Sequence, residues 1–218
     1  MGLGQLLVVM LSLVAVGLVL YPFQQQREDV KVSGKPSYSG VGVVLISLLH
    51  LLSFATSFGS SLWVSFIGGI IMFKNLPRHQ FGNLQAQMFP VYFKLVAACG
   101  AICVISVTIL HPWSVATGFE RLQVVVLGGS LGATLLNLFY FQPLTIKVMT
   151  QRHKVERQEN VGSEVGMSRN SEVAKRNPEL AKLNKRFGMI HGFSSLCNLF
   201  SFACLSFHSW YLASQMLP

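Results

Sequence analysis

Five long apolar runs, separated by polar segments, dominate the chain. A transmembrane helix needs about 20 mainly apolar residues to cross the hydrocarbon core of a bilayer, and every run approaches or exceeds that length. Together the runs predict an all-α, polytopic transmembrane bundle of four core helices plus one N-terminal hydrophobic helix. The runs cover residues 3–21, 41–73, 87–110, 122–148 and 188–212.

The runs and the polar segments divide the chain into three parts. Residues 1–21 are expected to form an N-terminal transmembrane helix or signal anchor, followed by a polar linker at 22–40 that is rich in Gly, Pro and Ser. A four-helix transmembrane domain is predicted at 41–213. Because its first run has 33 residues without a formal charge, that helix should tilt, kink near Gly68 and Gly69, or begin outside the core.

The four-helix domain contains a basic loop at about 150–187. The middle of this loop has few large apolar residues, so we expect no regular structure there. Near its end, Asn177 is a good helix cap, Pro178 suits the first turn, and Glu179 is favoured there by the helix dipole. The last helix is therefore predicted to begin at this point, with amphipathic, basic first turns that suit the headgroup region.

The distribution of basic residues predicts the orientation and the partners. In a chain that is 51% hydrophobic and 11% charged, the net charge of +9 favours anionic lipid headgroups over nucleic acid as the partner. Lys and Arg number four within 22–40 and 111–121, but eleven within 74–78 and 152–186. The positive-inside rule places the second group in the cytoplasm, together with the N-terminus. An endomembrane or plasma membrane location is expected, and no oligomeric state is predicted.

Two predicted helices carry polar residues along one face. In the last helix this face contains His191, Ser194, Ser195 and Asn198, and in the second it contains His50, Ser53, Ser57 and Ser61. Polar groups inside a bilayer need partners, so both faces should turn inward and join helices through hydrogen bonds. The same need applies to Asn137 in the fourth apolar run. As an alternative, His50 and His191 face each other and bind a metal ion, a haem iron or a proton.

The chemistry available within the spans favours a non-enzymatic protein. All eight acidic residues lie in loops or at the ends of the apolar runs, and no Gly-x-Ser-x-Gly motif occurs. A serine hydrolase would need a carboxylate to orient its histidine. We therefore predict no enzymatic activity. We also predict no cofactor, with haem or a metal ion as the alternative.

The segments LPRHQFGNLQAQMFPVYF at 76–93 and RFGMIHGFSSLCNL at 186–199 resemble the transmembrane protein 205 family, which has a DUF4149-like integral membrane domain. The similarity extends over roughly residues 43–212 and implies a four-helix integral membrane domain. Because the family has no established reaction, the resemblance implies no mechanism. The candidate functional residues are those of the two motifs together with the polar residues of the spans: His50, Pro77, Arg78, His79, Phe81, Gly82, Pro90, Tyr92, Asn137, His191, Gly192, Ser194, Ser195 and Asn198.

The first motif has a physical interpretation of its own. Pro77 stops a helix, Arg78 and His79 can contact lipid phosphates or cap carbonyl groups, and Phe81 can anchor at the interface. A basic turn, a cytoplasmic gate and a partner-docking site are all compatible with this pattern. For the whole chain, we predict a role in membrane transport, trafficking or organisation, and the alternative is a haem- or metal-binding redox protein that uses His50 and His191.

Overall fold

The computed structural model describes residues 40–216, so the predictions for the first apolar run and for the linker up to residue 39 lie outside it. Within the described residues the chain is helical, and four of the helices are long and apolar enough to cross a membrane. This confirms the predicted all-α bundle of four transmembrane helices. The helices are α1 (Gly40–Asn75), α2 (Arg78–Leu110), α3 (Gly118–Gln158), α4 (Ser168–Ala174) and α5 (Pro178–Ser214).

The helix starts follow from local capping. The side chain of Thr117 accepts a hydrogen bond from the amide of Glu120, whose carboxylate accepts one from the amide of Thr117, and this capping box begins α3. The side chain of Asn177 accepts a hydrogen bond from the amide of Leu180 at 3.0 Å, with Pro178 in the first turn. The last helix thus begins where the sequence predicts.

The four long helices pack tightly in one half of the bundle. Successive helices are neighbours, α5 also packs on α1 and α3, and all four contribute side chains to one core. This core lies in the half nearer the connection at 111–117. Its buried members are Phe54, Cys103, Val107, Leu127 and Leu205.

The helix α1 is continuous near Gly68 and Gly69, where a kink is one of the possibilities given by the sequence. It contains a π-helical segment at Trp63–Gly68, after which the α-helix resumes. A β-carbon on Gly68 would lie 2.8 Å from Nε1 of Trp63, so this wider turn depends on a residue without a side chain. Beyond it, Gly69–Asn75 have few contacts with the other long helices, which leaves space inside this half of the bundle.

The expectation of an unstructured middle in the 150–187 segment is wrong. The helix α3 continues to Gln158, and α4 occupies part of the remaining segment. A small apolar core stabilises this segment, although its overall composition is polar. The buried members of this core are Val155, Val161, Val173 and Leu180. An isolated β-bridge joins Val165 to Pro77. We call residues 76–79 and 150–184 the cap.

Candidate functional site

A fully buried carboxylate, that of Glu156, lies at the centre of the cap. Its Oε1 accepts hydrogen bonds from Nε of Arg78 at 2.9 Å and from Nδ2 of Asn170 at 2.6 Å. Its Oε2 lies 2.9 Å from Nε2 of His79, and Nε of Arg152 lies 3.5 Å from Oε1. Since a buried charge is costly unless it is paired and hydrogen-bonded, these contacts explain how a carboxylate is tolerated here.

Two histidines lie beside this carboxylate. The ring centroids of His79 and His153 are 4.3 Å apart. The Nε2 atom of His153 is buried and has no hydrogen-bond partner among the described residues. One ligand atom each from His79, His153 and Glu156 lies within 4.8 Å of the other two, which is a suitable arrangement for a metal ion.

Two glycines make room for the histidine rings. Gly162 has a φ of +118°, and a β-carbon on it would lie 2.2 Å from the ring of His79. A β-carbon on Gly82 would lie 2.8 Å from Cε1 of His153. The carbonyl of Gly162 also accepts a hydrogen bond from the amide of His79 at 3.0 Å, so the turn that carries Gly162 holds the start of α2.

Glu164 secures the same turn. Its carbonyl accepts from the amide of Arg78 at 2.8 Å, and its carboxylate accepts from the amide of Gly162 at 2.8 Å. Partial burial acts to raise the pKa of Glu164, but hydrogen bonds from backbone amides and the charges of Arg169 and Arg78 lower it overall. The ionised form is therefore the one that the folded cap stabilises.

A cavity of about 810 Å³ lies next to the cap, between the ends of α1 and α3 and the starts of α2 and α5. Most of its lining surface is apolar, and phenylalanine is frequent in it. Arg78, Arg152 and His191 line it at the cap end, and no carboxylate is among the described residues that line it. The guanidinium of Arg152 lies over the ring of Phe187, 3.9 Å from its centroid. The lining phenylalanines are Phe66, Phe73, Phe81, Phe89, Phe93 and Phe187.

Of the predicted polar face of α5, Asn198 is the member that is connected to α1 by hydrogen bonds among the described residues. Tyr92 of α2 joins the two helices, because its hydroxyl donates to Oδ1 of Asn198 at 2.9 Å and lies 3.0 Å from Oγ of Ser61. Asn198 in turn donates to Oγ of Ser65 at 2.7 Å. On α1, all four members of the predicted face are buried: His50, Ser53, Ser57 and Ser61.

The alternative in which His50 faces His191 is wrong. Nε2 of His50 lies 2.9 Å from Nε2 of His208 instead, and Nδ1 of His208 lies 3.0 Å from Oε1 of Gln123. His191 precedes His208 by 17 residues on α5, which is about 26 Å along a helix axis. The two helices run in opposite directions, so a residue near the start of α1 meets one near the end of α5. His50 and His191 therefore cannot share a metal ion or haem iron in this arrangement.

The interpretation of Arg78 and His79 as lipid-phosphate or carbonyl ligands is also wrong. Both point to Glu156, and the side chain of Arg78 also contacts the sulfur of Met167. Their partner Glu156 follows Arg78 by 78 residues and His79 by 77 residues, a separation that periodicity within one helix does not reveal.

The remaining predicted residues have varied environments. Asn137 is fully buried and donates to the carbonyl of Ser194 at 3.1 Å. Phe81 packs edge-to-face on Phe73, with 5.7 Å between the ring centroids. Pro77 precedes α2 and Pro90 lies inside it. Ser194 and Ser195 line the cavity, whereas Gly192 is exposed on α5.

Sequence reasoning missed several residues of the cap and the partner of His50. In α3 the buried positions Val148, Met149, Arg152, Val155 and Glu156 share one helical face. This period continues past the last apolar residue of the run, and it is the signal that could have found Arg152 and Glu156. His208 follows the buried Ser201 and Leu205 at i+7 and i+3, so the same reasoning applies to α5.

Comparisons with known proteins place this arrangement in a family. A family model described as "Domain of unknown function (DUF4149)" matches residues 52–154. The chain is 30% identical over 175 residues to "Transmembrane protein 205" of Danio rerio, and the match covers 78% of this chain and 93% of that protein. The chain belongs to the transmembrane protein 205 family. No solved structure gives a significant match.

The family domain contains most of the site. The segment of this chain that matches the DUF4149 model includes Arg78, His79, Arg152 and His153. It ends two residues before Glu156. The chain is therefore an integral membrane protein of a family whose domain has no assigned activity. Its function has to be argued from the site itself.

Proposed function

We propose that this protein binds an amphiphilic molecule with an anionic head group in the cavity beside the cap, as a step in membrane transport, trafficking or organisation. The observation that carries the proposal is the polarity of the cavity. Among the described residues, two arginines and no carboxylate line its cap end, and most of the lining surface is apolar. A site of this kind suits a ligand with an acidic end and a hydrocarbon end, and the proposed role is non-enzymatic.

The charge balance of the cap supports an anionic head group. Arg78 is already hydrogen-bonded to Glu156, whereas the nearest carboxylate oxygen to Nε of Arg152 is 3.5 Å away. Two guanidinium groups therefore share one carboxylate, and Arg152 keeps donors for a ligand. A guanidinium group can bind a phosphate or carboxylate through two parallel hydrogen bonds, which gives both energy and orientation.

The surface around the cap supports a ligand drawn from the membrane. Of the eleven basic residues on this side, Arg78 and Arg152 are buried and the other nine are exposed. We infer from the positive-inside rule that this side is cytoplasmic and that the N-terminus shares it, in an endomembrane or plasma membrane. The exposed positive charge would attract anionic lipid headgroups to the cap.

The loose end of α1 offers an entry for the hydrocarbon part of the ligand. Gly69–Asn75 have few contacts with the other long helices, and Ile70 and Phe73 line the cavity while remaining partly exposed. A lipid tail can pass between such side chains without leaving an apolar environment. The proposed path thus runs from the cytoplasmic leaflet into the cavity.

Binding of phosphatidic acid and phosphatidylcholine with matched chains, measured by native mass spectrometry in mild detergent, tests the proposal. We expect the wild type to prefer phosphatidic acid and Arg152→Gln to lose roughly tenfold or more of that affinity, since a charged hydrogen bond is worth about 1.5–3 kcal/mol. Arg157→Gln is the matched control, because Arg157 is an exposed arginine of the same helix. Equal affinities for both lipids, or equal losses in both variants, would refute the proposal.

A second variant tests whether the lipid occupies the cavity. Gly188 lines the cavity, and a β-carbon on it would meet no atom within 4 Å. Gly188→Leu should therefore fold and reduce binding of both lipids by filling the space. Gly192→Leu is the control on the exposed surface of α5, and it should bind as the wild type does.

A further inference from the structure

The cap contains a second candidate site, formed by His79, His153 and Glu156. These residues do not line the cavity, so the site is distinct from the one proposed for the amphiphile. We propose that the three side chains bind a divalent transition-metal ion of the zinc type. Its ligands would be Nε2 of both histidines and Oε2 of the carboxylate.

The position of His153 is the first argument. Only 3% of this residue is exposed, and its Nε2 has no hydrogen-bond partner among the described residues. A buried imidazole nitrogen without a partner loses its hydration and gains nothing in return. A metal ion between this atom and its two neighbours supplies the missing contact.

The second argument is that the two oxygens of Glu156 have different partners. Oε1 is held by Arg78 and Asn170, which fix the orientation of the carboxylate. Oε2 has His79 as its neighbour, at 2.9 Å, and is the oxygen free to bind an ion. Polar groups of this kind, which orient a ligand without touching the ion, are typical of metal sites.

The dimensions require only a small adjustment. Zinc binds imidazole nitrogen and carboxylate oxygen at about 2.0–2.2 Å, so its ligand atoms lie about 3.3 Å apart in a tetrahedral shell. One ligand atom from each of the three residues lies within 4.8 Å of the other two, and side-chain rotation closes that difference. On binding, Nε2 of His79 would exchange its contact with Oε2 of Glu156 for a bond to the ion, and Nδ1 would carry the ring proton.

The ligand set determines the kind of metal. Two imidazoles and one carboxylate suit zinc and its neighbours, whereas calcium and magnesium prefer shells of oxygen. Three protein ligands leave one position open for water. The ion would join the start of α2 to the end of α3 and so fasten the cap over the bundle.

Titration of zinc into the metal-free, full-length protein in mild detergent tests this site, with calorimetry and the thermal unfolding temperature as readouts. We expect the wild type to bind a stoichiometric amount of zinc and to unfold at a higher temperature with it. His153→Phe keeps a ring against Gly82 but lacks the ligand atom, and His153→Leu is a second variant with a smaller side chain. Both should lose at least about tenfold in zinc affinity, since even outer-sphere changes cost 10–100-fold.

His191→Phe is the matched control, because His191 lies outside the cluster and lines the cavity. It should bind zinc as the wild type does. X-ray absorption of the zinc-loaded wild type should show nitrogen and oxygen neighbours without sulfur. A wild type that binds no zinc, variants of His153 that bind it as tightly, or a shell containing sulfur would each overturn the proposal.

Discussion

Arg78 and Glu156 form an ion pair inside the cap, with Nη2 of the guanidinium 2.8 Å from Oε1 of the carboxylate. Arg78 is the first residue of α2 and Glu156 lies in the last turn of α3. Both side chains are almost fully buried. The contact therefore connects the ends of two transmembrane helices at the point where the cavity begins.

Removal of the charge at Glu156 should strongly destabilise the folded protein. Glu156→Gln keeps the shape of the side chain but leaves Arg78 and Arg152 buried without a carboxylate. Breaking one partner of a buried pair costs about 3–5 kcal/mol, measurable as a loss of unfolding free energy in a denaturing detergent titration. Glu172→Gln, at an exposed position of α4, should change stability by less than about 0.5 kcal/mol. Equal effects of the two substitutions would show that the buried charge contributes nothing.

Gly162→Ala should destabilise the cap more than Gly166→Ala. Both glycines have positive φ, +118° and +87°, so alanine strains the backbone at each by about 1–3 kcal/mol. Only at Gly162 does the new methyl group also meet the ring of His79, because a β-carbon on Gly166 would have no atom of the described residues within 4 Å apart from its chain neighbours. Thermal unfolding of both variants in mild detergent separates the two effects. A loss at Gly166 as large as that at Gly162 would contradict the contact.

His50 and His208 should show energetic coupling, whereas His50 and His191 should not. Double-mutant cycles with leucine at each position measure this directly, because they cancel the cost of each single change. Hydrogen bonds between membrane helices average about 0.6 kcal/mol and reach about 1.7 kcal/mol, and the 2.9 Å contact of His50 with His208 should fall in that range. A coupling of the same size between His50 and His191 would contradict the antiparallel arrangement of α1 and α5.

The charge of Glu164 should stabilise the protein at neutral pH and lose its effect in acid. The pKa of Glu164 is lower in the folded protein than its ordinary value of 4.5, so its contribution is complete above that value and disappears as pH falls through the lowered pKa. The difference in stability between the wild type and Glu164→Gln should therefore shrink between neutral pH and about pH 3. Unfolding curves across this range provide the measurement. A difference that does not depend on pH would exclude the charge as its cause.

The sequence predicts the transmembrane helices well because the signal for them is local. The four apolar runs correspond to α1, α2, α3 and α5. The start of α5 after Asn177 follows from three adjacent residues. Burial of the polar face of α1 likewise follows from helical spacing within one segment. Each of these features depends on residues that are close together along the chain.

The cap could not be predicted in the same way. Glu156 and Arg78 are 78 residues apart, and the polar composition around Glu156 is the same whether its carboxylate faces water or an arginine. The partner of His50 depends on the direction in which α5 crosses α1. His191 belongs to the polar face that the sequence shows, but it lies at the other end of α5 from His208. Only the packed arrangement distinguishes these alternatives.

The long separation of Arg78 from Glu156 has a consequence for how the protein is made. Arg78 is synthesised before α3. Its guanidinium therefore has no access to the carboxylate of Glu156 until α2 and α3 have both been made. Asn170 and Asn184, which hydrogen-bond to each other at 2.8 Å, are added later still. The cap can therefore form only after α2, α3 and the segment up to Asn184 have been synthesised.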